Sequence, residues 1–155
     1  NQFRDNLGHW GDTAKASKTI VCLKPHRGGA VNRPKDAVWL AQQINSPWLK
    51  LAYDYSHFAH RDISLEDSLK QMIPHTRFIH VKDTIIKDGR PRFVIPGASG
   101  QINYSKLISK AFELGYRGDI NAEISGQVWS QKGYDPIATA KACYRNLSPA
   151  FTQEQ

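Results

Sequence analysis

The chain has 155 residues, 40% apolar and 23% charged, proportions of a globular domain able to bury a core and not of a disordered segment. No apolar run approaches the roughly 20 residues needed to cross a bilayer, which excludes a membrane-spanning helix. The formal charge of +7 suits a phosphorylated metabolite or a nucleic acid, but Lys and Arg are scattered singly, which argues for a solvated surface over a nucleic-acid footprint.

The opening residues combine no basic start, apolar block and small-residue cleavage site, so no export signal is visible and a cytoplasmic setting is the expectation. The chain opens on Asn1, not Met, which reads as a processed or fragmentary start. Phe3, Leu7, Trp10 and Ala14 recur at helical spacing, and the β-branched run Thr19 to Leu23 then predicts a short buried strand. Pro34 opens a helix with Ala37, Leu40, Ala41 and Ile44 on one face, and Asn45-Ser46-Pro47 stops it. Trp48 to Tyr53 is the next strand. Ser64 with Asp67 forms a cap for a helix carrying Leu65, Leu69, Met72 and Ile73, and Pro74 ends it. Arg77 to Lys82 is again strand. Asp88-Gly89 between apolar pairs predicts a small hairpin over Ile85 to Ile95, an excursion outside the core. Asn103 caps a helix through Leu107, Ile108, Ala111 and Leu114, with Gly115 as its stop; Gly118 to Ile124 is the fourth strand; Asp135-Pro136 starts a last helix ending near Leu147. Cys22 and Cys143 each lie in apolar runs and read as buried thiols, not a disulfide.

A helix followed by four strand-helix units predicts an α/β fold with a parallel sheet. A complete (β/α)8 barrel needs about 250 residues, so four units make half of one. An open doubly wound sheet is the alternative, but the Gly-rich phosphate loop it would carry after the first strand is missing. Each strand ends in chemistry-bearing side chains: Lys24-Pro25-His26-Arg27, Asp54-Tyr55-Ser56-His57, His80-Val81-Lys82-Asp83 and Glu123. In a parallel barrel these ends converge on one mouth. A carboxylate closing an apolar strand, as Asp54 and Glu123 do, is costly to bury without a cation. Alternation points His80 to the same side as Phe78 and Lys82. Asp54, His80 and Glu123 together offer hard oxygen donors and one imidazole, a set suited to Mn, Mg, Co or Zn.

The ordered series Asp54-x-x-His57, His80-x-Lys82-Asp83, Pro96-Gly97-x-x-Gly100-x-Ile102 and Gly115-Tyr116-x-Gly118 leading to Glu123 resembles the C-terminal half of the sugar phosphate isomerase/epimerase superfamily, whose barrel is xylose isomerase-like. The resemblance runs from about Thr19 to Leu147 and implies that residues 1–155 are a partial TIM barrel domain, its fifth to eighth units plus the preceding helix. It implies a divalent metal held by two Glu, one Asp and one His, with the two Glu exchanging a proton beside the carbonyl of a sugar or sugar phosphate. Asp54, His80 and Glu123 match three of those ligands, and His57 matches a histidine that contacts substrate. The fourth position departs from the family: Leu23-Lys24-Pro25-His26 places an ammonium where Glu is usual. Three outcomes follow for Lys24: it turns away from a three-ligand metal, its charge replaces the metal, or it acts as a neutral base. The expectation is that it pairs with Asp54 or Glu123 and weakens metal binding. Glu123, Lys24 and His57 are the candidate catalytic groups; His26, His57, Lys82 and Trp129 are candidate substrate contacts.

Two other functions compete. An apurinic endonuclease of the endonuclease IV type needs a further Asp-x-His after the His80 strand, and Arg90 to Gly100 contains neither residue. A sugar-binding domain impaired in catalysis is the other, motivated by Lys24. A half barrel exposes two sheet edges, so the expected partner is a second copy or a missing N-terminal half barrel.

Overall fold

The structure, a computed structural model, describes residues 2–152. Helix α1 (Gln2–Ala16) leads to strand β1 (Val21–Leu23), and α2 (Pro34–Ile44), β2 (Leu49–Tyr53), α3 (Leu65–Met72) and β3 (Thr76–Val81) follow. A hairpin of β4 (Asp83–Lys87) and β5 (Arg90–Val94) precedes α4 (Tyr104–Glu113), β6 (Asp119–Ala122), the short α5 (Gly126–Trp129) and α6 (Pro136–Leu147). Strands β1, β2, β3 and β6 form one parallel sheet in that order, and β4 pairs with β5 in a separate antiparallel ribbon. The expected alternation is present, with four strands of a parallel sheet. The sequence-read strands are longer than the ladders at β1 and β6, because Thr19, Ile20, Gly118 and Glu123 lie beyond the paired stretch.

The helices begin where the sequence supplies caps. Ser64 accepts from the Asp67 backbone N–H, Asn103 from Lys106, and Asp135 from Ile137 and Ala138, satisfying amide groups that the first helical turn leaves unpaired. Asn45, at φ 46°, turns the chain out of α2 into β2.

Side chains alternate across the sheet. Leu51, Tyr53, Ile79 and Val81 point to the helical face, where they are buried with Leu40, Leu69, Met72, Leu107 and Ile108. The opposite face receives Lys24, Asp54, His80, Lys82 and Glu123 at the carboxyl ends. Register brings them level: Tyr53 lies beside Ile79 and Val81 beside Ala122, so the residues just beyond, Asp54 and Glu123, flank His80. The ladder continues one step as the Glu123 N–H donates to the Val81 carbonyl at 3.0 Å.

Gly118, at the entry to β6, has a packing reason. A Cβ there would come within 2.6 Å of Tyr116 Oη and 2.7 Å of the Arg77 carbonyl. Tyr116 Oη donates to the Asp119 carbonyl at 2.6 Å, so the absence of a side chain at Gly118 lets the tyrosine lock the start of the strand that carries Glu123.

β1 and β6 stand at the two ends of the strand order. Along β6, Ile120, Ala122, Ile124, Tyr144 and Phe151 line an open apolar groove of about 620 Å³. No helix among the described residues is long and apolar enough to cross a membrane. Cys22 and Cys143 are free thiols, the first half-buried and the second buried.

Candidate functional site

The four strand ends deliver a connected cluster. Lys24 Nζ donates to Glu123 Oε2 at 2.6 Å, lies 3.1 Å from His80 Nδ1 and stands 3.6 Å from Asp54 Oδ2. Lys82 Nζ contacts Glu123 Oε1 at 3.1 Å, His57 Nε2 at 3.1 Å and Asp54 Oδ2 at 3.3 Å. Glu123 is thus held at both oxygens by different ammonium groups. His80 Nδ1 also lies 3.0 Å from Glu123 Oε2, and His57 Nε2 lies 3.3 Å from Asp54 Oδ2. Each imidazole nitrogen accepts from a lysine in one tautomer and donates to a carboxylate in the other.

Asp54 is oriented by its own loop. It caps the 3-10 turn Tyr55–His57, where Oδ1 accepts from the Ser56 N–H at 3.1 Å and from Ser56 Oγ at 2.6 Å. Oδ2 is left facing the cluster, buried and without a hydrogen bond of good geometry. Burial alone would raise its carboxyl; the close approach of His57 Nε2, 3.3 Å from Oδ2, and the Lys82 charge outweigh this and hold it below its ordinary value. The His80 hydrogen bond acts first on Glu123 and, against the opposing effect of partial burial, combines with Lys24 and Lys82 to hold it well below the usual carboxylate range. Burial pushes His57 down, and partial desolvation of the His26 ring together with the neighbouring His57, Lys82 and Lys24 lowers His26.

The exposed entrance is formed by Lys24, His80 and Glu123, with side chains between 22% and 29% accessible, while Asp54, His57 and Lys82 lie beneath. Lys82, expected among the substrate contacts, is only 3% accessible at its side chain and belongs to this lower layer. His26 is exposed, with its ring centroid 4.0 Å from that of His57. Arg27 turns aside to donate to the Ala59 carbonyl at 2.7 Å. Trp129 is 57% exposed on α5, its ring beside Gly126 and outside the hydrogen-bonded cluster.

The hairpin contributes a residue that the sequence reading missed. Phe93 places its ring 4.5 Å from Lys82 Nζ and 5.4 Å, edge to face, from the His57 ring. Its N–H donates to Gln127 Oε1 at 2.9 Å, which fastens the ribbon to α5. Asp83 accepts from the Thr84 N–H, the Ser99 N–H and Ser99 Oγ, clamping both ends of the excursion beside Lys82.

Asp54, His80 and Glu123, expected as metal ligands, are brought together, with one candidate ligand atom each within 4.8 Å of the others. The buried Oδ2 of Asp54 suits a cation. The position of Lys24 does not suit a divalent one, because its ammonium already lies against all three residues. A dication 4 Å from an ammonium is repelled by about 8 kcal/mol at an effective dielectric near 20. With Lys24 where it stands, the residues present do not fit a divalent ion. Among the described residues the apolar groove along β6 is lined by no carboxylate, imidazole or ammonium; the acid–base groups converge at the polar cluster.

The profile of one family, described as xylose isomerase-like TIM barrel, matches residues 1–145. A Mus musculus protein named for hydroxypyruvate isomerase is 21% identical over 146 residues, 86% of this chain and 50% of its own length. The IOLI protein with a bound zinc atom superposes with a TM-score of 0.76 at 23% identity, covering 97% of this chain and 56% of that one. The 3-keto-D-glucoside 4-epimerase YcjR of E. coli gives 0.71 at 20% identity, covering 96% of this chain and 52% of that one. At these identities the structural likeness speaks for fold alone, and the chain spans about half the length of these relatives. The match over most of its length and the parallel sheet with helices on one face place the chain in the xylose isomerase-like TIM barrel family, of whose (β/α)8 barrel it forms a part.

Proposed function

We propose that the protein moves a proton at the carbon next to the carbonyl of a sugar or sugar phosphate, the step shared by isomerisation and epimerisation. The observation that carries this reading is the 2.6 Å pair of Lys24 and Glu123, a hydrogen-bond donor and a carboxylate side by side at the accessible entrance. The epimerase named among the structural relatives agrees with it in substrate class.

The chemistry follows from the cluster. A substrate carbonyl oxygen accepts from the Lys24 ammonium in place of Glu123. Glu123 is a poor base while Lys24 holds it; losing that nearest cation raises its basicity when substrate arrives. Glu123 takes the proton from the adjacent carbon, the C–H electron pair forms the carbon–carbon double bond, and the carbonyl π pair moves to oxygen, where Lys24 stabilises the negative charge. Delivery of a solvent proton to the opposite face, with Glu123 releasing its own to water, gives an epimer; return of the proton by Glu123 to the former carbonyl carbon, as the neighbouring hydroxyl proton passes to the enediolate oxygen, gives an isomer. Lys82 fixes the second Glu123 oxygen, Asp54 and His57 hold Lys82, and the exposed His26 is the proposed contact to a substrate hydroxyl.

Incubation of the natural gene product in deuterated water with D-fructose, fructose 6-phosphate or hydroxypyruvate, followed by proton NMR, tests this. The expected result is deuterium next to the carbonyl of at least one of them, abolished in Glu123→Gln. No exchange with any, in folded protein, would remove the proposal.

A further inference from the structure

We infer that the cation of this site is the Lys24 ammonium itself, and that the protein binds no divalent metal at Asp54, His80 and Glu123. The inference uses the proton-transfer reading only for its catalytic consequence; the binding claim stands on geometry.

Three observations carry it. First, Lys24 Nζ lies against one atom from each of three residues: at hydrogen-bond distance from Glu123 Oε2, 2.6 Å, and His80 Nδ1, 3.1 Å, and at ion-pair distance from Asp54 Oδ2, 3.6 Å. Those three residues are the ones whose donor atoms converge within 4.8 Å. Lys24 therefore does not stand beside a metal position; it engages the set of groups that would make one. Second, charge is already balanced. Lys24 and Lys82 face Asp54 and Glu123, two ammonium groups against two carboxylates. A dication would add two uncompensated charges to a half-buried cluster. Third, Lys24 has little reason to leave. Lys82 already occupies Glu123 Oε1 and the inner side of Asp54, so Oε2 of Glu123 is left to Lys24, beside its contact with His80.

For the proposed reaction the consequence is that a monovalent side-chain donor, fixed at the end of β1, does the polarising. The carbonyl oxygen is held by hydrogen bonding and a single positive charge, and no exogenous cation needs to be loaded.

The test is a titration of the natural gene product, stripped with chelator, with Mn²⁺ followed by electron paramagnetic resonance, beside Lys24→Glu and Lys24→Met. The unmodified protein is expected to take up no stoichiometric Mn²⁺ at concentrations that saturate Lys24→Glu, whose affinity should be at least about 100-fold higher because an attracting carboxylate replaces a repelling ammonium. Lys24→Met, which removes the charge without adding a ligand, should fall between them and substitutes for Lys24→Glu if that variant does not fold. One Mn²⁺ per unmodified chain, bound as tightly as in Lys24→Glu or Lys24→Met, overturns the inference. In the deuterium-exchange assay, chelator should leave the unmodified protein unchanged, and a rate that chelator abolishes and Mn²⁺ restores also overturns it. If no exchange occurs under any condition, the proton-transfer reading has failed while the Mn²⁺ titration still decides whether Lys24 is the resident cation.

Discussion

The ring of Phe93 faces the ammonium of Lys82 with 4.5 Å between centroid and nitrogen, so a residue of the outlying hairpin forms the wall of the polar cluster. The same ring meets His57 edge-on at 5.4 Å. Lys82 thus has carboxylates and an imidazole on its polar side and an aromatic face on the other, which accounts for its low accessibility.

Replacing Phe93 by Leu keeps apolar bulk and removes the ring face, while Tyr keeps both. Phe93→Leu should lower stability by about 1 kcal/mol, the size of a partly desolvated cation–π contact, and Phe93→Tyr should change it little. Urea unfolding measures the difference. Reductive methylation supplies a second readout: Lys82 should be protected in the parent and Phe93→Tyr, and modified faster in Phe93→Ala. Equal protection in all variants would mean that the hairpin does not shield the cluster.

Asp54 is the buried counter-charge of Lys82, and removing it alone leaves an ammonium without its deepest partner. Asp54→Asn should cost about 3 kcal/mol, the usual loss when one member of a buried pair is deleted. Lys82→Met in the same protein should recover part of that, giving a coupling of at least about 1 kcal/mol in a double-mutant cycle. Additive losses would show that the two groups do not interact in solution.

The parts of the site carried by strand periodicity were readable in the sequence. Lys24, Asp54 and Glu123 each follow the last residue of a strand and His80 is the penultimate residue of another, and alternation with parallel pairing is enough to bring them to one face. The caps at Ser64, Asn103 and Asp135 were readable for a similar reason, since each acts on amides two or three residues away. Phe93 was not. Asp88-Gly89 announces a ribbon, but which way a two-stranded ribbon folds depends on distant contacts, here Phe93 to Gln127 and Asp83 to Ser99. Lys82 illustrates both sides: its face follows from His80, whereas its depth depends on the ribbon lying above it. Trp129 drew attention as a large aromatic near a strand end, yet the short helix α5 leaves it largely in solvent.

Glu123 links the cluster to acid stability. Its carboxyl is held well below the ordinary value of 4.5, by the His80 hydrogen bond first and by Lys24 and Lys82 as well. A carboxyl depressed on folding stabilises the native state fully above its unfolded value, and that contribution is lost as pH falls from there through the folded value. Stability should therefore climb as pH rises from the acid range toward about 5 and owe nothing further to this group above that. In Glu123→Gln the climb should be shallower, and in Lys24→Met intermediate, because one of the charges that depress the carboxyl is gone. Urea midpoints measured across this range decide it; parallel curves for all three proteins would show that Glu123 titrates alike in both states.

Gly97 and Gly100 lie in the loop that Asp83 anchors through Ser99, and they separate two costs that glycine substitutions usually confuse. Both have positive φ, 77° and 67°, a region that costs an L-residue about 1 kcal/mol or more. A Cβ on Gly100 meets nothing within 4 Å, whereas one on Gly97 falls 2.6 Å from the Cβ of Asn146 on α6. Asn146 cannot simply withdraw, since its Nδ2 donates to the Pro96 carbonyl at 3.1 Å and ties the loop to that helix. Gly100→Ala should thus lose about 1 kcal/mol, from backbone conformation alone, and Gly97→Ala about 3 kcal/mol, the added part being overlap that pushes loop and helix apart. Because the loop holds Asp83 next to Lys82, Gly97→Ala should also speed the reductive methylation of Lys82, and Gly100→Ala should not. Equal losses in the two variants, with Lys82 equally protected, would show that the contact between Gly97 and α6 does not brace the site.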